Sequence, residues 1–175
     1  LTNLSELTLG FNRISDFSPL RSLTNLTLLK LYGNKLNDFT PLLPLTNLTE
    51  LELGFCGISD ITPLSSLSSM TKLKNLYVYG NEISDISPLK SLVNLELLSL
   101  RTNQISDLTP LAALTNLKTL YLYENQISDI EPLKALVNLE TLYLQNNPLT
   151  EAQIYELHAE LPDCLIISDW FIDFT

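Results

Sequence analysis

Arg101 and six tyrosines carry the most promising chemistry in this chain. Tyr77, Tyr121 and Tyr143 occupy one position of a recurring unit, and Tyr32, Tyr79, Arg101 and Tyr123 occupy the position two residues on. Of the 7 tyrosines, only Tyr155 falls outside these two columns. Phenol rings offer wide amphipathic contact at small entropic cost, and a guanidinium between two rings is held by cation–π attraction. Such a set suits recognition. Covalent catalysis has little to build on: His158 is the single histidine, Cys56 and Cys164 are the two cysteines, and no glycine-rich phosphate loop occurs. No nucleophile–base pair can be assembled from these groups. The expectation is a non-enzymatic binder with no cofactor and no metal.

A second set of reactive groups recurs with equal regularity. Asp16, Asp38, Asp60, Asp85, Asp107 and Asp129 all precede a short apolar–Pro–Leu segment, as in Asp85-Ile86-Ser87-Pro88-Leu89. A carboxylate there can take the first amides of a helical turn, and Pro fits that turn because its missing N–H costs nothing. A stack of carboxylates could instead collect Ca²⁺, but capping accounts for the column without a metal. These residues also explain part of the net charge of −10. That charge argues against a nucleic-acid partner, which needs clustered Lys and Arg.

The elements that position these groups follow from the period. The motif LxNLxxLxLxxNxISDIxPLxx begins at Leu1, Leu23, Leu45, Met70, Leu92, Leu114 and Leu136, with a spacing of 22 residues except after the third start. Self-similarity at this length, with this leucine spacing, predicts a leucine-rich-repeat solenoid: a parallel β-sheet on the concave side and short 3₁₀ turns on the convex side. Counted from the first Leu, positions 7 and 9 alternate like a strand and point inward, so positions 6, 8 and 10 face out. The tyrosine columns are positions 8 and 10, on the sheet face. Position 12 is Asn in every repeat but the third, where Cys56 stands. Buried Asn can bridge backbone groups of neighbouring turns. Cys56 reads as a small apolar substitute, with a reactive thiol as the rival reading. At ~4.8 Å per strand, Cys56 and Cys164 lie roughly 20 Å apart or more, beyond the ~7 Å a disulfide tolerates, so both are expected free.

The pattern predicts an α/β solenoid with seven repeats over 1–147 and a helix–strand cap over 148–175. Repeat three is three residues longer, through Leu67-Ser68-Ser69 or a nearby slip, which is about one more 3₁₀ turn. After Asn147, Thr150 and Gln153 form a capping box ahead of an apolar face of Ile154, Leu157 and Leu161. Pro162 ends the helix, and Cys164-Leu165-Ile166-Ile167 reads as a last strand. Trp170 and Phe171 are expected to cover the open edge. The chain starts inside a repeat, so an N-terminal cap is expected upstream of Leu1. No apolar run approaches the ~18 residues of a membrane span.

Leu114-Thr115-Asn116-Leu117, Asn125-Gln126-Ile127-Ser128-Asp129-Ile130 and Pro132-Leu133 closely resemble the 22-residue repeats of bacterial internalins. A more distant likeness is to the phosphatase-regulator class of eukaryotic repeats. The internalin resemblance covers about 1–147. It implies a protein ligand bound on the concave face, and a secreted or bacterial cell-surface location. The expected cap departs from the immunoglobulin-like segment typical of that family, and host-cell invasion is not carried over.

The binding patch is therefore expected at Tyr77, Tyr79, Arg101, Tyr121, Tyr123 and Tyr143, with Tyr32 as an outlying member. Glu82, Glu124, Gln104 and Gln126 form one rim, and Phe11, Phe55, Lys30 and Glu52 make a more mixed N-terminal half. Tyr79→Ala with Tyr123→Ala is expected to abolish capture and leave the melting temperature nearly unchanged. The competing account is that the tyrosines only stabilise the sheet by pairing across strands. A carbohydrate-binding surface and an accessory or spacer domain of a larger protein are the alternative functions.

Overall fold

The computed structural model describes residues 3–170, apart from the side chains of 66–68. Phe171 lies outside the described residues. One parallel sheet holds eight three-residue strands in sequence order: β1 (Glu6–Thr8), β2 (Leu28–Lys30), β3 (Glu50–Glu52), β4 (Asn75–Tyr77), β5 (Leu97–Ser99), β6 (Thr119–Tyr121), β7 (Thr141–Tyr143) and β8 (Leu165–Ile167). Each register joins the same repeat position to itself, as in Leu76↔Leu98 and Leu98↔Leu120. The middle residue of each strand from β2 to β7 is fully buried.

The core is a column of these leucines, continued by the apolar residues flanking each 3₁₀ segment, such as Ile86 and Leu89. Six 3₁₀ segments lie opposite the sheet: Ser18–Ser22, Thr40–Leu42, Thr62–Ser69, Ser87–Ser91, Thr109–Ala113 and Glu131–Ala135. The third runs 8 residues where its neighbour at Ser87–Ser91 runs 5. The three extra residues thus form the added turn expected of them. Strand pairing passes over the insertion undisturbed, with Glu50 still opposite Asn75.

The Asp column does cap these segments, from one residue further back than an N-cap. The N-cap positions are apolar residues such as Phe17 and Ile86, with no side-chain bond of their own. The preceding Asp accepts the amide two residues on, at 2.9 Å for Asp16 from Ser18 and 2.8 Å for Asp85 from Ser87. This Asx-type turn frees the N-cap side chain to enter the core. Hydrogen bonds from Thr40, hydroxyl first and then amide, hold Asp38 below the usual carboxylate pKa.

The Asn ladder runs along the stack from Asn34 to Asn147, interrupted at Cys56. In one step, Asn125 Nδ2 donates to Leu100 O and Leu122 O at 3.1 and 2.9 Å, and its Oδ1 accepts the Ile105 amide at 3.0 Å. A second ladder explains the other Asn of the motif, at position 3. Asn47, Asn94, Asn116 and Asn138 each donate to a carbonyl of the preceding repeat at 2.8–2.9 Å. Sequence reading found no role for it, although the fixed Leu-x-Asn spacing was the available signal.

The cap forms as its residues predict. The helix α1 spans Glu151–Glu160, and Thr150 and Gln153 make both bonds of the capping box. Ile154 and Leu157 are buried, and β8 pairs with β7. Gln153 Nε2 donates to Ser128 O at 2.8 Å, and Trp170 Nε1 donates to Leu149 O at 2.9 Å. Among the described residues, no helix is long and apolar enough to cross a membrane.

Candidate functional site

The exposed face of the sheet is built from positions 6, 8 and 10, and the stacking brings equivalent side chains of adjacent repeats into contact. Arg101 lies over the Tyr79 ring, with Cζ 4.1 Å from its centroid, and faces Tyr123 at 5.5 Å on the other side. Tyr121 and Tyr143 are stacked at 4.6 Å with ring planes 14° apart. The hydroxyl of Tyr79 donates to Glu52 Oε1 at 2.6 Å. Glu52 and Glu50 in turn pair with Lys30, at 3.5 and 2.9 Å. A charge-relayed row thus runs along the face: Lys30, Glu52, Tyr79, Arg101, Tyr123. The hydrogen bond to a carboxylate enriches the Tyr79 ring in electron density, which strengthens its hold on the guanidinium.

Tyr77, Tyr79, Arg101, Tyr121 and Tyr123 share the lining of one hollow of about 210 Å³. Ser99 opens it, as the one small residue of the position-8 column between Tyr77 and Tyr121. Tyr143 joins the group through its stack on Tyr121. Tyr32 does not join it: its ring lies over Gly10 and meets Phe11 edge-on at 5.3 Å and 79°.

That last contact belongs to an arrangement the sequence reading missed. Repeats one to four end their strands Gly10-Phe11, Tyr32-Gly33, Gly54-Phe55 and Tyr79-Gly80. Tyr79 lies over Gly54, where a Cβ would come within 2.4 Å of its ring, and Phe55 lies over Gly80, where a Cβ would come within 2.3 Å. Phe55 and Tyr79 meet edge-on at 5.4 Å and 83°. Each aromatic therefore rests on the glycine of the neighbouring repeat, twice over. The alternating Gly-Phe and Tyr-Gly pairs were the visible signal.

Position 11 is left-handed throughout, from φ 53° at Phe55 to φ 68° at Gly33, and includes Phe11, Thr102, Glu124 and Asn146. A bulky residue there is strained. Backbone bonds to the next repeat hold it, as from the Phe55 amide to Tyr79 O at 2.9 Å. The consequence is that the Phe11 and Phe55 rings stand at the rim of the face, 71% and 50% exposed.

Burial, and then the hydrogen bond to Glu52, push the Tyr79 phenol far above its usual pKa, and burial also raises Tyr77 and Tyr121. The folded protein therefore keeps these protons when the unfolded chain has lost them. Their contribution to stability is complete below the unfolded phenol pKa of about 10 and is lost as pH rises through the folded values. Melting temperature is expected to fall steeply between about pH 10 and 12, and Tyr79→Phe to make that decline shallower. A titration followed by calorimetry checks it, and equal slopes for the two proteins would refute it.

The cysteines are both free and buried. Cys56 takes the ladder position, its Sγ 3.4 Å from Leu31 O. Burial raises its pKa, and raises that of Cys164 to about 11. Buried thiols held protonated match the apolar-substitute reading better than a reactive one.

Comparison with known proteins follows the same geometry. The family described as leucine rich repeats (2 copies) matches residues 2–44, 46–88, 71–113 and 115–156. Among solved structures, the chain is similar to an internalin, inlF, of Listeria monocytogenes, with 37% identity and a TM-score of 0.86 over 98% of this chain and 49% of that one. It is similar to internalin C2, inlC2, of the same organism, with 39% identity and a TM-score of 0.86 over 95% of this chain and 72% of that one. A leucine-rich-repeat protein of Leptospira interrogans matches with 26% identity and a TM-score of 0.74, over 94% of this chain and 49% of that one. The chain thus spans about half the length of inlF and of the Leptospira protein. The curated proteins contain no match.

Proposed function

The chain belongs to the internalin-like leucine-rich-repeat proteins of bacteria, and from that premise we propose that it is a non-enzymatic module that grips a protein ligand on its tyrosine-rich sheet face. The observation that carries this reading is the Tyr79–Arg101–Tyr123 sandwich beside the Tyr121–Tyr143 stack. These side chains are ordered against one another before any ligand arrives, so binding need not spend entropy on fixing them. Rigid aromatic and Arg anchors around a hollow are the usual composition of a protein-binding hot spot. Cross-strand stacking also supports the sheet, but that role does not account for a hollow at the centre of the patch.

The ligand seat comprises Tyr77, Tyr79, Arg101, Tyr121, Tyr123 and Tyr143, and the exposed Phe55 ring extends it at the rim. Tyr32, with Phe11, forms a separate aromatic pair two repeats away and contributes at most an outer contact. The module works outside the cytoplasm, secreted or held at the bacterial surface. A sugar ligand is the second reading, favoured by the tyrosine lining of the hollow, against which a pyranose can pack.

The test is capture of extracellular proteins by the immobilised chain, followed by affinity measurement for each captured protein. Tyr79→Ala with Tyr123→Ala is expected to abolish specific capture. Undiminished capture would remove the assigned face, and binding to a glycan array in place of protein would favour the second reading.

A further inference from the structure

Taking the sheet face as the ligand seat, we propose that Arg101 is a carboxylate receptor, into which the protein ligand inserts an Asp or Glu side chain. Arg101 is the only charged residue among the outward strand positions from Asn75 to Gln145. Its Cζ lies over the Tyr79 ring at 4.1 Å and over the Tyr123 ring, more loosely, at 5.5 Å. Among the described residues, its guanidinium makes no ion pair and no hydrogen bond. Ring stacking satisfies the faces of a guanidinium and leaves its N–H donors, which lie in the plane, unspent. A planar fork of donors is matched by an acceptor with two coplanar oxygens, which on a protein is a carboxylate.

The surroundings narrow the choice further. The hollow beside Arg101, about 210 Å³, admits one side chain rather than a whole element. Ser99 at its floor is 2% exposed, and its hydroxyl has no hydrogen-bond partner among the described residues. It supplies a further donor directed at the same occupant. Glu52, which shares the lining of this hollow, does not fill the role. Its oxygens are engaged by the Tyr79 hydroxyl at 2.6 Å and by Lys30 at 3.5 Å.

A ligand that covers this face strips water from Arg101, and an unpaired buried guanidinium is costly. Only a ligand bringing an anion to that point avoids the cost. The chain carries a net charge of −10, so acidic groups are repelled elsewhere on its surface. An acid aligned with Arg101 therefore fixes the register of the complex as well as adding affinity.

The experiment follows the Nε–H resonances of the arginines in the ¹⁵N-labelled full chain, titrated with N-acetyl-glutamate or N-acetyl-glutamine, each with its α-carboxyl blocked as the N-methylamide, or with sulfate. Saturable movement of the Arg101 resonance by N-acetyl-glutamate is expected, with N-acetyl-glutamine about tenfold weaker, since a charged hydrogen bond is lost. Arg101→Lys keeps the charge but not the fork, and is expected to weaken N-acetyl-glutamate binding about tenfold, now read from the tyrosine ring resonances. Unchanged core methyl resonances establish that this variant is folded. Equal responses to the two amino acids, tighter binding of sulfate than of N-acetyl-glutamate, or an unmoved Arg101 would each overturn the carboxylate assignment. If Arg101 stays unmoved while the Tyr79→Ala with Tyr123→Ala variant still loses protein capture, the receptor fails and the ligand face stands. If the tyrosine variant captures normally, the ligand face itself fails.

Discussion

Asn81→Ala is expected to lower the free energy of unfolding by about 3–5 kcal/mol, the largest loss of any ladder residue. Asn81 Oδ1 accepts two amides, from Cys56 at 3.0 Å and Ile58 at 3.1 Å. Its Nδ2 donates to Leu53 O at 3.0 Å and Val78 O at 2.8 Å. Alanine leaves the Cys56 and Ile58 amides and the Leu53 carbonyl buried without this partner, at about 1–3 kcal/mol for each group that water does not reach, whereas Val78 O keeps the Asn103 side-chain amide at 3.1 Å. Cys56 makes the site more demanding because its side chain offers no amide to the ladder. One step earlier, the Leu36 amide falls back on the Cys56 carbonyl at 3.2 Å, where Asn34 Oδ1 serves Ile14 at 2.8 Å. Asn12 is the internal control. It is exposed and donates only to Leu9 O and Gly10 O, within its own repeat. Asn12→Ala is expected to cost less than about 1 kcal/mol. Urea unfolding of both variants decides the matter: similar losses at Asn12 and Asn81 would mean that bridging between repeats is not what the ladder contributes.

That contrast marks how far the sequence could be read. Leu76, Leu98 and Leu120 are legible because their environment repeats with the motif, so one repeat predicts all. Thr150 and Gln153 are legible because a capping box depends on residues three apart. The contacts that escaped reading join residues one repeat apart through side chains that differ between repeats. Tyr79 lies flat only because Gly54, one repeat earlier, has no Cβ, and Phe55 reaches its place only because position 11 is left-handed and Gly80 lies beneath it. Nothing in Phe55 or Glu124 as residue types announces a positive φ. The stacked backbone imposes it, and bonds such as that from the Glu124 amide to Gln145 O hold it. The two tyrosine columns were visible in the sequence, whereas the separation of Tyr32 from the others depends on which ring meets which glycine.

Tyr79→Ala with Tyr123→Ala is expected to weaken the protein ligand by about 10³-fold, taking ~2 kcal/mol for each hot-spot aromatic. The melting temperature will not stay as it was, contrary to the expectation from sequence. Tyr79 holds Glu52 by a hydrogen bond, Phe55 by an edge contact and Arg101 by its face, and loss of these is expected to cost about 1–3 kcal/mol of stability. A second variant separates the two effects. In Gly54→Val the new Cβ alone would stand 2.4 Å from Tyr79 Cε2 and Cζ, so the ring must leave its seat while every residue of the patch remains present. Affinity is expected to fall about tenfold, because Tyr79 and Arg101 must then be ordered by the ligand. Gly10→Val imposes the same displacement on Tyr32, whose ring lies 2.3 Å from the Cβ position, and is expected to leave affinity unchanged. The two substitutions bring a Cβ about equally close to a ring and move different aromatics. Wild-type affinity for Gly54→Val, or equal losses for both, would show that the preset pose of Tyr79 is not what the ligand recognises.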